Sequence, residues 1–195
     1  MRTATVILAA GQAERLGGAS KPLLRADGEL LAVRALRTAW ETGTVPVLVL
    51  GHRSEEVLEA LNSDARGLLG RTDVVVLSGR QRQLADSFRM GVQRAAELGA
   101  QWIAVLLVDQ PGIGAAALKA VLDEHSPGRI TQGAVAGRPT HPVVFDTGDA
   151  AAAAALAEGD EGARRYLRAQ AHRLDLMDLT GIADDTDIDT PEDLL

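Results

Sequence analysis

Apolar residues in this chain gather into short unbroken runs at 4–10 (ATVILAA), 45–50 (VPVLVL), 73–78 (DVVVLS) and 102–108 (WIAVLLV). Runs of this length, rich in valine and leucine and lacking a polar face, predict parallel strands covered on both sides. The stretches between them change period. Leu84, Phe88, Val92 and Ala95 fall on one helical face, and similar spacing predicts helices over Leu30–Trp40, Ser54–Leu61, Leu84–Leu98 and Ala115–Glu124. Strand and helix in alternation predict an α/β fold, a Rossmann-like and mostly parallel sheet flanked by helices.

The alternation breaks after Gly128. RITQGAVAG and RPTHPVVFD read as two extended segments around Gly137 and Arg138, a β-ribbon insertion placed to roof a pocket. The alanine run at 150–155 favours a short helix, because alanine is the best helix former. A second short helix is expected over Glu161–Ala171, then closing strand segments at Leu174–Leu179 and Ile182–Ile188 before a terminal PEDLL turn. With 195 residues and no internal repeat, one domain spanning 1–195 is expected.

Composition narrows the partners. The net charge of −7 lacks the basic footprint of a nucleic-acid binder. No cysteine is present, which removes disulfides, thiolate metal sites and cysteine nucleophiles together, and the four histidines are scattered. The first strand begins within about five residues, too early for a signal peptide, and no apolar run approaches the roughly 18 residues of a membrane span. A cytoplasmic location, with no membrane and no nucleic-acid partner, is the expectation.

The densest chemistry lies in Thr5–Leu24, TVILAAGQAERLGGASKPLL. A buried strand runs into small residues, Leu8, Ala9, Ala10 and Gly11, that let a ligand approach the backbone, while Gly17 and Gly18 allow amides to converge on phosphate oxygens. Arg15 and Lys21 supply the countercharge. The dinucleotide fingerprint GxGxxG fails at Ala13 and Leu16, and the P-loop spelling fails because Ala19 follows Gly18. A triphosphate cradle of another kind is the reading that remains.

The fourth apolar run ends in VLLVDQPGI, which places Asp109 at the carboxyl edge of the sheet, where open α/β folds collect ligands. One carboxylate there suits Mg2+, a hard cation that takes one or two carboxylates plus phosphate oxygens; the competing reading is a helix cap with Pro111 in the first turn. Near the end, DDTDIDTPEDL packs six acids into eleven residues. Such a run is often only a solvated surface. In an extended chain, however, Asp187 and Asp189 flank Ile188 and share a face, and either can offer a second carboxylate. In EGDEGARRYL, Gly159 and Gly162 turn the chain, Asp160 can cap the following helix, and Arg164 can reach an anion.

LAAGxxxRxGGxxKPLL resembles the signature loop of nucleotidyltransferases with a MobA-like fold, a nucleotide-diphospho-sugar transferase type of architecture, and the likeness extends over nearly the whole chain. That resemblance implies that Arg15 and Lys21 hold a triphosphate. It also implies that Asp109, in the D-x-P step, binds the metal, with Asp189 in the D-TPEDL ending as second ligand and Asp187 as the alternative. The ADSFRMG segment is similar to the family's base and ribose contact, which implies Ser87 as a polar partner and Gly79 as a point of backbone approach; a plain helix-terminal hydroxyl is the alternative for Ser87. GRPTHPVVF and GDEGAR are similar to segments of the molybdenum-cofactor cytidylyltransferase branch, which implies acceptor contacts from His141, Asp160 and Arg164; an isolated histidine is otherwise most often structural.

Ala10 within LAAG and Gln110 within DQP resemble enzymes that use CTP, whereas guanylyl-transferring relatives carry LAGG. The resemblance thus implies in-line transfer of CMP from CTP, with Mg2+, to a phosphate-bearing acceptor. Molybdopterin leads as acceptor, its product destined for a molybdenum hydroxylase client. Two other classes stay open. Some proteins resembling this branch reduce a pigment with nicotinamide cofactors, against which the missing GxGxxG argues; a nucleotide- or cofactor-binding module without turnover is the other, against which Asp109 and Lys21 together argue.

Overall fold

The computed structural model describes residues 1–13, 18–78, 83–190 and 193. Seven strands form one sheet: β1 (Thr3–Ala9), β2 (Val45–Leu50), β3 (Asp73–Val76), β4 (Trp102–Leu107), β5 (Ile130–Val135), β6 (Arg138–Asp146) and β7 (Leu174–Asp178). Their order across the sheet is β7-β5-β6-β4-β1-β2-β3. β1 pairs in parallel with β2 and β4, β2 with β3, and β5 with β7, while β6 runs antiparallel to both β4 and β5.

Period two in the apolar runs sends successive residues to opposite faces. Ile7, Ala9, Leu48, Leu50, Ala104 and Leu106 pack on one side against helices α1 (Leu31–Glu41), α2 (Ser54–Asp64) and, beyond the short α3 (Arg66–Leu69), α5 (Ala115–Glu124). Val6, Leu8, Val47, Val49, Ile103 and Val105 pack on the other, against α4 (Leu84–Glu97) and α6 (Thr147–Leu156), with Tyr166 of α7 (Arg164–Ala169) closing that side. Both faces are therefore sealed, which is why these strands show no polar side. Among the described residues no helix is long and apolar enough to cross a membrane.

The expected ribbon exists and is also part of the main sheet. β5 and β6 pair with each other, and β6 then zips onto β4 through Val143 opposite Val105 and Phe145 opposite Ile103. Because β6 runs antiparallel, its first residues, and not its last, reach the carboxyl ends of β1 and β4. A register shift there sets three residues of β6, between Pro139 and Val143, against the single Gly133 of β5, so Thr140 and His141 lie within a bulge.

Two expectations are corrected. Ile182–Ile188 forms no strand. Asp178 and Asp184 instead accept hydrogen bonds from the backbone N–H of Thr180 and Thr186, at 3.0 and 2.9 Å, and such Asx turns bend the chain away from a ladder. The helix expected over Glu161–Ala171 shrinks to α7, whose N-cap position is Ala163 with no side-chain cap, so Asp160 does not cap it. Gly159 and Gly162 do turn the chain, with φ of 52° and 53°.

Candidate active site

Among the described residues, several segments that carry candidate chemistry arrive at one edge of the sheet. β1 and β4 deliver Ala10 and Asp109 at their carboxyl ends, β6 delivers Thr140 and His141 at its amino end, and β7 leads into the acidic stretch 184–190. That stretch is fixed by three contacts. Ile188 is 2% exposed in the core, its N–H donates to the Asp109 carbonyl at 2.8 Å, and Asp184 lies against Gly112. A Cβ on Gly112 would stand 2.5 Å from the Asp184 carbonyl oxygen, closer than packing permits. Gly112→Ala is therefore expected to push the acidic stretch off the site, costing about 1–3 kcal/mol of stability and lowering activity; a thermal melt and a rate measurement check both.

At the centre, one ammonium bridges two carboxylates. Lys21 Nζ donates to Asp109 Oδ2 at 2.5 Å and to Asp189 Oδ1 at 2.6 Å. Lys21 starts a 3-10 turn, Lys21–Leu23, whose Pro22 is buried and whose first carbonyl accepts the Leu24 N–H at 3.0 Å, so its backbone is firmly set. Burial alone would lower the Lys21 pKa, but the Asp109 charge and the hydrogen bonds to both carboxylates outweigh it and leave the pKa raised. Asp109 stands in the turn after β4 and caps no helix, since α5 begins at Ala115 behind Gly114.

The loop facing this cluster is pinned from β2. His52 Nε2 lies 3.2 Å from the Gly18 carbonyl, and Ser20 Oγ donates to the His52 carbonyl at 3.0 Å. Gly18 takes φ of 77°, as the cradle reading requires. Leu8, Ala9 and Ala10 are buried, and Gly11 is exposed with open space where a Cβ would point. Arg15, Gly17 and Gly79 lie outside the described residues.

Beside the cluster opens a pocket of about 690 Å³. Its floor is apolar, from Leu8, Phe88, Val105, Val143 and Phe145; its rim carries His141, Asp160, Arg164, Arg168 and Asp187. The structure thus brings His141 into the same pocket as Asp160 and Arg164. Ser87 does not join them. It is 3% exposed in the first turn of α4, with its hydroxyl donating to the Gln83 carbonyl at 3.4 Å, so it faces neither solvent nor this pocket.

One pocket residue was not singled out from the sequence, and a second was read only as part of the DQP spelling. Arg168 follows Arg164 by four positions, which puts both on one face of α7, a signal available in the RRYLR spelling. Gln110 is 8% exposed; its Nε2 donates to Thr140 Oγ1 at 3.4 Å, while its Oε1 has no partner among the described residues. A buried amide oxygen without a donor is costly unless a ligand supplies one.

The two remaining acids divide the work. Asp189 joins Asp109 at the ammonium, whereas Asp187 lines the pocket, with its pKa raised by desolvation of the carboxyl and by the nearby Asp109 charge, and lowered in part by a hydrogen bond from Gln110. Much of Asp187 is open to solvent. Among the described residues no three acids or histidines stand close enough to cage a metal. The pair Asp109 and Asp189 fits a hard divalent cation that draws its other ligands from water and phosphate.

Burial pushes the His141 pKa down to about 4, with Asp109 opposing and Arg164 reinforcing the shift. The folded ring is therefore neutral, while the unfolded chain protonates near 6.5. This contribution to stability is complete above about pH 6.5 and is lost as pH falls toward about 4, by at most about 3 kcal/mol. Urea midpoints at pH 7.5 and 4.5 should converge in His141→Asn relative to the parent protein.

Comparison with known proteins adds family context. The model of the MobA-like NTP transferase domain matches residues 5–174. The chain is 34% identical to nicotine blue oxidoreductase of Paenarthrobacter nicotinovorans, over 97% of this chain and 93% of that protein. It is 30% identical to the purine catabolism protein PucB of Bacillus subtilis strain 168, over 96% of this chain and 92% of that protein. Among solved structures it is similar to Rv0371c of Mycobacterium tuberculosis H37Rv, with TM-score 0.81, 28% identity, and 99% and 95% of the two chains covered. Rv0371c has also been solved in complex with manganese.

Proposed function

This chain belongs to the MobA-like NTP transferase domain family, and on that premise we propose that it moves CMP from CTP to a phosphate-bearing acceptor, molybdopterin first among the choices, with release of pyrophosphate. The observation that carries this reading is the Lys21–Asp109–Asp189 cluster, whose neighbours Gln110 and Asp187 line a pocket that also holds Arg164 and Arg168.

In this reading the acceptor lies in the pocket, its apolar body on Phe88 and Val143 and its phosphate toward Arg164 and Arg168. An acceptor phosphate oxygen attacks the α-phosphorus in line; the bond from that phosphorus to the β-bridging oxygen breaks, and pyrophosphate carries the charge away. Bound at Asp109 and Asp189, Mg2+ would neutralise charge developing on the phosphate oxygens. Lys21 would pair with the triphosphate from its rigid turn. Neutral His141 would hydrogen-bond the acceptor without adding charge. Such chemistry depends on positioning and charge more than on acid–base groups, and no covalent nucleophile is needed.

CTP is favoured by Ala10 in LAAG and by Gln110 in DQP. The direct test is pyrophosphate release with each of CTP, GTP, ATP and UTP in the presence and absence of molybdopterin. Release with CTP and molybdopterin alone is expected; transfer with another nucleotide, or none with any, would reject the assignment. Gln110→Leu should raise the acceptor KM about fivefold, as expected for one lost hydrogen bond.

The similarity to nicotine blue oxidoreductase supports a second reading, reduction of a planar pigment held in the same apolar pocket at the expense of NAD(P)H. Oxidation of NADH by the purified protein with a pigment, and no reaction with CTP, would favour it.

A further inference from the structure

We infer that Lys21 is a built-in counter-cation that holds the metal site closed until a nucleotide arrives. The inference rests on the reading that Asp109 and Asp189 receive a divalent cation, and it concerns the protein before any ligand binds. Two carboxylates 80 residues apart in sequence meet at a single ammonium, 2.5 and 2.6 Å away. With one oxygen of each carboxylate already directed at one positive charge, a second cation at the same point meets like-charge repulsion. Surface pairs of this kind fluctuate, but here the Lys21 and Asp109 side chains are only 14% and 17% exposed, which limits screening by water.

The lysine is well placed to leave. Its backbone is fixed by Pro22 and the 3-10 turn and follows directly on residues 18–20, while its side chain has four rotatable bonds. A triphosphate laid along that loop offers more negative charge than the two aspartates. Lys21 then turns to the phosphates and releases both carboxylates to the cation that the nucleotide carries. Lys21 thus has two successive partners, and binding is ordered: free divalent ions are refused, and nucleotide with its cation is admitted.

The test is Mn2+ binding to the nucleotide-free protein, followed by electron paramagnetic resonance of the unbound ion, in the parent, in Lys21→Met, and in Lys21→Met combined with Asp109→Asn. Lys21→Met should bind at least tenfold more tightly than the parent, and the added Asp109→Asn should abolish the gain. Equal or weaker binding by Lys21→Met would overturn the inference and leave the proposed metal site standing. If no variant binds Mn2+ at millimolar concentration, the carboxylate pair is no metal site, and both readings fall. Should Lys21→Met fail to fold, crystals of the parent protein soaked in Mn2+ without nucleotide decide the matter. An anomalous peak between Asp109 and Asp189 overturns the inference, and a peak there only after CTP is added upholds it.

Discussion

Asp109→Ala is expected to lower nucleotidyl transfer by about a hundredfold or more, the usual cost of removing one preorganised charge contact from a transition state. The loss should fall on turnover. Asp109 contributes little to folding through its carboxylate, because its backbone carbonyl still accepts the Ile188 N–H and Ile188 still fills the core. Nucleotide should bind with nearly unchanged affinity, since Lys21 stays free to meet the phosphates. Initial rates, a CTP titration and a thermal melt measured on the same preparation check all three parts. Transfer at the parent rate would remove Asp109 from the mechanism.

Lys21→Ala should cost a similar factor in turnover and differ in every other respect. It deletes the phosphate partner, so CTP should bind more weakly. It also leaves Asp109 and Asp189 facing each other unpaired. Two carboxylates released from a half-buried ammonium repel, so the variant should melt lower in the absence of divalent ions and recover when they are added. Asp109→Ala, which removes one of the two repelling charges, should show no such recovery. This contrast separates a lysine that acts on phosphate from one that merely neutralises acids.

The sheet was legible because its chemistry is local. Four apolar runs with no polar face read as strands covered on both sides, and the structure places them in β1 to β4 with ends displaced by at most two residues, though the edge strand β3 leaves Val76 49% exposed. β5 and β6 were legible as extended chain, but their incorporation into the main sheet depends on pairing with β4, which no local pattern encodes. Ile182–Ile188 misled for an instructive reason. Its mixture of apolar and acidic residues mimics a half-buried strand, yet Asp184 spends its oxygen on the amide of Thr186 two positions on, as Asp178 does on Thr180 just before, and Asp185 pairs with Arg138.

The site was legible to the extent that charge and glycine announce it. Lys21, Asp109 and Asp189 meet through one ammonium, and Asp187 lines the pocket beside them. Ser87 is buried in the first turn of α4 with its hydroxyl on the Gln83 carbonyl, a placement that spelling alone does not display. Gln110 was read only as part of DQP; what makes it notable is an amide oxygen left without a donor, a property of packing that sequence does not display.

The most direct measurement is a crystal of this protein grown with CTP and Mn2+, phased to locate the metal by its anomalous signal. The account requires the triphosphate along the loop that follows β1, Lys21 turned to its oxygens, and the metal between Asp109 and Asp189. A triphosphate lying elsewhere, or a metal with neither aspartate among its ligands, would contradict it.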